Sequence, residues 1–255
     1  MQQGMILRPM SLSELLDASF GLYRRHFVPL VFVAIASQAI PLGVGVYVEV
    51  AGGVLEHPVA WLIGMVGTIV LGQLGIATST FMVAEAYLGG STTPMESFTR
   101  SQRYLGRLLG AAFASGLLTF IAFLFLIVPG FIVFCGLALT TPALVLEDCP
   151  SATAAMRRSF DLTKGFRGKV FAAYLVAFLL IGLPSLALGT LGVAAAATSA
   201  ASISVVTIVF MLVQTVLQVL AYPFLYVITT LLYYDLRVRK EAYDLEMLSS
   251  SLGAP

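Results

Sequence analysis

Charge is what this sequence has least of. Charged residues make up 11% of the chain, against roughly a quarter in soluble domains, and mean hydropathy is +0.96. Four stretches carry no Asp, Glu, Lys or Arg: Phe27–Val48, Pro58–Ala84, Leu108–Leu146 and Val170–Tyr234. Each is longer than one bilayer crossing demands, and the last two are long enough that they must fold back. A water-soluble fold of this length is excluded for want of polar surface.

Other absences narrow the chemistry. Net charge is only +1, so no global field recruits nucleic acid, and no nucleic-acid partner is expected. The two histidines, His26 and His57, fall on opposite sides of the expected membrane and cannot share a site. The sequence has no HExxH zinc motif, no phosphate-binding loop and no GxSxG elbow, and "GVGVYV" at 43–48 lacks the third glycine of a dinucleotide fingerprint. No aspartate lies inside a span, so paired-carboxylate membrane proteolysis has no candidates. No catalytic residue, metal ligand or cofactor is expected. The two cysteines, Cys135 and Cys149, would lie about 20 Å apart on one helix, beyond disulfide reach, and read as small buried thiols.

What is present is a pattern of spans and basic connectors. Spans are expected over Phe27–Val48, Val59–Leu88, Leu108–Val128, Phe131–Leu146, from Val170 to about Gly189–Gly192, and Ile203–Tyr234. Pro129-Gly130 is expected to turn the chain between the third and fourth, and "AAAATSAAS" to connect the last two. Pro184 and Pro223 are expected to kink the fifth and sixth. With six crossings, segments 1–26, 89–107, 147–169 and 235–255 share one side and hold all 14 Lys and Arg residues, whereas Glu49 and Glu56 face the other. Basic flanks stay in the cytoplasm, so both termini are placed there. The charged residues before the first apolar run do not resemble a cleavable signal peptide, and that run is read as an uncleaved span.

The basic segments share a spacing. "SLSELLDASFGLYRRHF" from Ser11, "TPMESFTRSQRYLGRL" from Thr93 and "SATAAMRRSFDLTKGF" from Ser151 each open on a helix-capping residue. Glu14 and Glu96 complete capping boxes, whereas Ala154 departs from the box. Leu16, Phe98 and Met156 follow five residues after the cap, Ser19, Ser101 and Ser159 eight after, and Leu22, Tyr104 and Leu162 eleven after. Apolar residues at helical spacing make each an amphipathic helix that can lie at the membrane interface, over 11–26, 93–105 and 151–164. The fold expected is all-α, one membrane domain over 1–255. It is a bundle of six transmembrane helices in three hairpins, each preceded by a cytoplasmic interfacial helix. The repeat-like units are about 11–88, 93–146 and 151–234, with a tail from 235 to 255.

Polar groups within or beside the spans supply the candidate sites. Gln38, Gln73, Gln214 and Gln218 are the intramembrane set, with Gln214 and Gln218 on one helix face. Glu85 is expected to pair with Arg100, Arg103 or Arg158. Glu147, Asp148, Arg157, Arg158 and Asp161 form the densest charge cluster in mid-chain. Arg157 and Asp161 sit one turn apart for pairing. Arg158 can reach Glu147, Glu85 or a lipid phosphate through its planar fork. In "LLYYDLRVRKEAYDLEML", Tyr233 and Tyr234 suit the interfacial belt. Asp235–Arg239, Arg237–Glu241 and Lys240–Asp244 are i,i+4 pairs expected to lace an exposed helix face.

"RPMSLSELLDASFGLYRRHF", "LIVPGFIVFCGLALTTPALVLEDCPSATAAMRRSFDLTKG" and "YPFLYVITTLLYYDLRVRKEAYDLE" resemble bacterial membrane proteins carrying the glycerophosphoryl diester phosphodiesterase membrane domain. The resemblance covers nearly the whole chain and implies the bacterial cytoplasmic (inner) membrane. Some larger members join this domain to a catalytic phosphodiesterase, for whose barrel of about 250 residues this sequence has no room, so the resemblance implies no activity and carries over no functional residues. Three function classes stand: a non-enzymatic scaffold, assembly or accessory component contacting lipid; a transporter or channel for a small or amphiphilic solute; and a lipid-directed membrane enzyme. Partners implied are membrane lipids and either a second copy of the chain or another membrane protein.

Overall fold

The computed structural model describes residues 9–198 and 203–252, and every regular element among them is a helix. Six helices or helix pairs are long and apolar enough to cross a membrane: Phe27–Val50, Pro58–Tyr87, Leu105–Phe125, Ile127–Leu146, Arg167–Ala194 and Val205–Glu241. The chain is therefore a multi-pass membrane protein. In chain order the elements are α1 (Leu12–Arg25), α2 (Phe27–Val50), α3 (Pro58–Tyr87), α4 (Pro94–Gln102), α5 (Leu105–Phe125) and α6 (Ile127–Leu137), followed by α7 (Thr140–Leu146), α8 (Ala152–Thr163), α9 (Arg167–Ala177), α10 (Leu183–Thr198) and α11 (Ile203–Leu252). A π-turn, Phe178–Gly182, joins α9 to α10. It ends two residues before Pro184, whose missing N–H cannot serve an α-helical turn. Helices α2 and α3 pack along each other, as do α5 with α6 and α10 with α11, and α11 also packs on α2, α3 and α1. Arg8 and residues 199–202 of the small-residue connector lie outside the described residues.

Local chemistry explains the boundaries. Ser11 and Glu14 form a capping box on α1, and Thr93 and Glu96 form one on α4. The Thr93 N–H and hydroxyl hold the Glu96 carboxyl below its ordinary pKa. Ser151 caps α8 through the Ala154 N–H alone. Two residues past the end of α7 comes Asp148, the one non-glycine with positive φ (46°) among the described residues. The Cys149 N–H reaches back to Leu144 O at 3.2 Å, closing a C-terminal motif that tolerates aspartate in the left-handed region.

The turn between the third and fourth spans is not where the sequence placed it. The break is at Leu126, in extended backbone (φ −163°, ψ 146°), and Pro129 sits in the first turn of α6, where its missing N–H would have no helical acceptor anyway. Gly130 is required for another reason. A Cβ there would lie 2.3 Å from the Phe123 ring of α5.

The fourth span is itself broken at Ala138–Leu139, and neighbouring side chains satisfy the backbone groups this frees. Ser159 Oγ of α8 donates to Gly136 O at 2.6 Å and accepts from Leu139 N–H at 3.1 Å. Tyr174 OH of α9 donates to Ala138 O at 3.1 Å, and Thr140 Oγ1 to Leu137 O at 2.7 Å. Irregular backbone at membrane depth persists only when so paired.

Candidate functional site

Each short helix turns the residues four and eight after its cap into the bundle. Leu15, Ser97 and Ala155, four residues after their caps, are all 0% exposed, and so are Ser19, Ser101 and Ser159, eight after. By contrast Leu16 and Phe98 are only partly buried, though Met156 is buried. A serine lets a helix approach closely. Ser101 Oγ meets Thr78 Oγ1 of α3 at 3.0 Å, and Ser159 spans the break described above. The eight-residue spacing was visible in the sequence, but its close-approach role was not.

These contacts bring together, at one end of the bundle, two hydrogen-bonded ion networks. The first is a closed ring of five side chains from α7's end, α8 and α11. Arg158 Nε lies 2.9 and 2.8 Å from the two carboxylate oxygens of Glu147, and its Nη2 is 3.1 Å from Glu241. Arg237 Nε donates to the same Glu241 oxygen at 2.8 Å, and its Nη1 to Tyr233 OH at 3.3 Å. Tyr233, fully buried, closes the ring by donating to Glu147 at 2.8 Å. Burial alone would pull the Arg158 pKa down, but the Glu147 hydrogen bond and charge win and raise it. Arg158 thus divides its fork between two carboxylates on different elements.

The second network was missed as a network. Asp235 is 1% exposed, so the expected exposed charge-laced face is corrected here: the helix turns Asp235 inward. Its carboxylate accepts from Met10 N–H at 2.6 Å, Lys169 Nζ at 2.5 Å and Arg239 Nε at 3.1 Å. Lys169 and Arg239 both also donate to Met10 O, at 2.5 and 2.6 Å. The residue before α1's cap is thereby tied to α9 and α11. A usable signal existed: Lys169 and Asp235 are the opposite charges that bracket the longest charge-free run.

The remaining candidates divide. Glu85 pairs with Arg100 at 3.1 Å, not with Arg103 or Arg158, and Arg100 also stacks over Phe81 at 4.6 Å. Asp148 pairs with Arg107 at 3.2 Å. The expected Arg157–Asp161 pair does not form among the described residues. Both side chains are exposed and line an open groove of about 500 Å³ on the outer face of α8. Of the tail pairs, Asp235–Arg239 and Arg237–Glu241 form, while the Asp244 side chain lies outside the described residues. Gln38 Nε2 donates to Gln218 Oε1 at 3.2 Å across α2 and α11. Gln214 Oε1 is buried without a partner, and Gln73 of α3 joins neither.

Chemically, both networks consume their carboxylates in bonds between helices. Cys149 donates to Ala143 O at 3.4 Å, and burial pushes its thiol pKa up, away from the reactive thiolate. Among the described residues no group of three His, Cys, Asp or Glu could hold a metal ion. No known family model matches this chain, and no curated protein and no solved structure matches it.

Proposed function

We propose that this protein is a non-enzymatic integral membrane component, a scaffold, assembly factor or accessory subunit in contact with lipid, akin to the glycerophosphoryl diester phosphodiesterase membrane domain. Three hairpins, α2–α3, α5–α6 and the α9-to-α10 span with α11, make the bundle. Helices α1, α4 and α8 lie along its cytoplasmic rim as the related elements of an internal repeat, with their apolar flanks at the headgroups and both termini in the cytoplasm of a bacterial inner membrane. The partners are lipids and a second copy or another membrane protein.

The observation that carries this reading is the state of the ionisable groups. Glu147 and Asp235, the carboxylates best placed for acid–base work, are each held by two or more donors from other helices. A catalytic acid or base needs a lone pair or proton free for substrate, whereas these bonds fix the relative positions of α1, α7, α8, α9 and α11. Transport is the second reading. It is favoured by the unpartnered Gln214 oxygen one turn from the Gln38–Gln218 bond, since an orphaned buried amide asks for water or a ligand.

Reconstitution separates them. Purified protein in liposomes is expected to leave phospholipid and glycerophosphodiesters intact and to release small solutes no faster than protein-free vesicles. Native mass spectrometry of membranes extracted into nanodiscs is expected to show a stoichiometric complex. A lone monomer with saturable solute flux that Gln214→Leu abolishes would overturn the scaffold reading in favour of transport.

A further inference from the structure

A second feature of the bundle is a cavity of about 500 Å³ between α6, α9, the π-turn and α11, lined by Phe131, Phe171, Leu175, Ile181, Gly182 and Leu225 among others. Its walls are aromatic and aliphatic, and they belong to three of the apolar spans. From Phe171 to Gly182 it follows the helix for about 16 Å, close to half of a ~30 Å hydrocarbon core. That is the depth of one leaflet. The π-turn shapes the lower end, since Phe178, Ile181 and Gly182 all belong to it.

Just outside the cavity's lining, at the start of α9, is a cation with no carboxylate partner among the described residues. Arg167 lies one helical turn before Phe171. It makes no ion pair or hydrogen bond among the described residues, and its Nε is buried without a partner. Its guanidinium is held over the Phe160 ring at 5.4 Å, and Phe160 is itself fixed against Gly136, where a Cβ would meet the ring at 2.6 Å. By contrast Lys169, two residues on, and Arg158 and Arg107 are all paired with carboxylates. A buried guanidinium N–H left without an acceptor is costly, and a phosphate oxygen is the acceptor its planar fork suits.

We propose that this groove is a site for one anionic phospholipid, with its phosphate on Arg167 and one acyl chain lying along Phe171, Leu175 and the π-turn. The proposal rests on the membrane reading above and deepens it from general lipid contact to a defined lipid site.

The test uses the full chain, purified and delipidated in detergent, with phosphatidylglycerol carrying a photoreactive diazirine near the acyl terminus and phosphatidylcholine of the same chain as comparison. Crosslinks are expected to concentrate in 171–182, and phosphatidylglycerol to compete about fivefold better than phosphatidylcholine, the advantage of one cation near the surface. Arg167→Gln should erase that preference and Arg167→Lys keep most of it. Leu175→Trp, which fills the groove, should lower crosslinking of 171–182 about fivefold with either lipid. If that variant does not fold, the Arg167 pair still decides. Crosslinks spread evenly over exposed span residues such as Phe113, Phe120 and Phe125, or equal competition by the two lipids, would overturn the lipid site while leaving the membrane reading standing. Labelling of no span at all would overturn both.

Discussion

Lys169 Nζ and Asp235 Oδ2 meet at 2.5 Å, joining the two charges that bracket the charge-free run from Val170 to Tyr234. The start of α9 and the end of the apolar part of α11 are thus at one level. With Asp235 wholly buried and Lys169 at 15% side-chain exposure, removing the carboxylate strands a cation and the Met10 N–H. Asp235→Ala is expected to cost about 3–5 kcal/mol in thermal unfolding of the detergent-solubilised protein, and to open the chain near Met10 to protease. Asp235→Leu combined with Lys169→Met should lose less. The control is Glu85→Ala, which breaks an exposed pair worth about 0–1 kcal/mol. Equal losses in Asp235→Ala and Glu85→Ala would refute the buried tie.

Ser159 is expected to matter more than the serine at the same position of α1. Ser19 Oγ bonds only its own helix, at Leu15 O, whereas Ser159 serves two backbone groups at the break in the fourth span. Ser159→Ala leaves both without that partner, at about 1–3 kcal/mol for buried unsatisfied groups. Ser19→Ala should be near neutral. Matching unfolding temperatures for the two variants would show that Ser159 does not hold the break.

Arg158→Ala opens the five-membered ring. The pair is partly exposed, 31% at Arg158 and 18% at Glu147, so solvent screening discounts the loss to about 1–3 kcal/mol. Arg158→Lys should recover only part, because one ammonium cannot reach Glu147 and Glu241 with the geometry of a planar fork. Exposed Arg24→Ala serves as the control, and the ring is unimportant if all three variants unfold with the parent.

The spans were legible because bilayer thickness and the missing charges set them, and the caps at Ser11, Thr93 and Ser151 because capping is decided within four residues. What was illegible depended on distant partners. The turn at Leu126 was misplaced because Pro129 is as acceptable in a first helical turn as in a loop, and because Gly130 answers to Phe123. The break at Ala138–Leu139 is stabilised by Ser159 and Tyr174, from two other helices. Asp235 looked like half of an i,i+4 surface pair, and only the return of the chain to Lys169 turns it inward. Arg157 and Asp161 have the spacing for a pair, but spacing allows an exposed pair without requiring it.

Six crossings with every basic residue on one side is the claim on which the rest depends, and substituted-cysteine labelling tests it most directly. In a background with Cys135 and Cys149 replaced by alanine, single cysteines at Gly53, between α2 and α3, and at Lys164, between α8 and α9, are challenged with a membrane-impermeant maleimide on intact cells. Gly53→Cys is expected to label and Lys164→Cys to label only after the membrane is opened. Labelling of both positions from the same side would contradict the six-span arrangement.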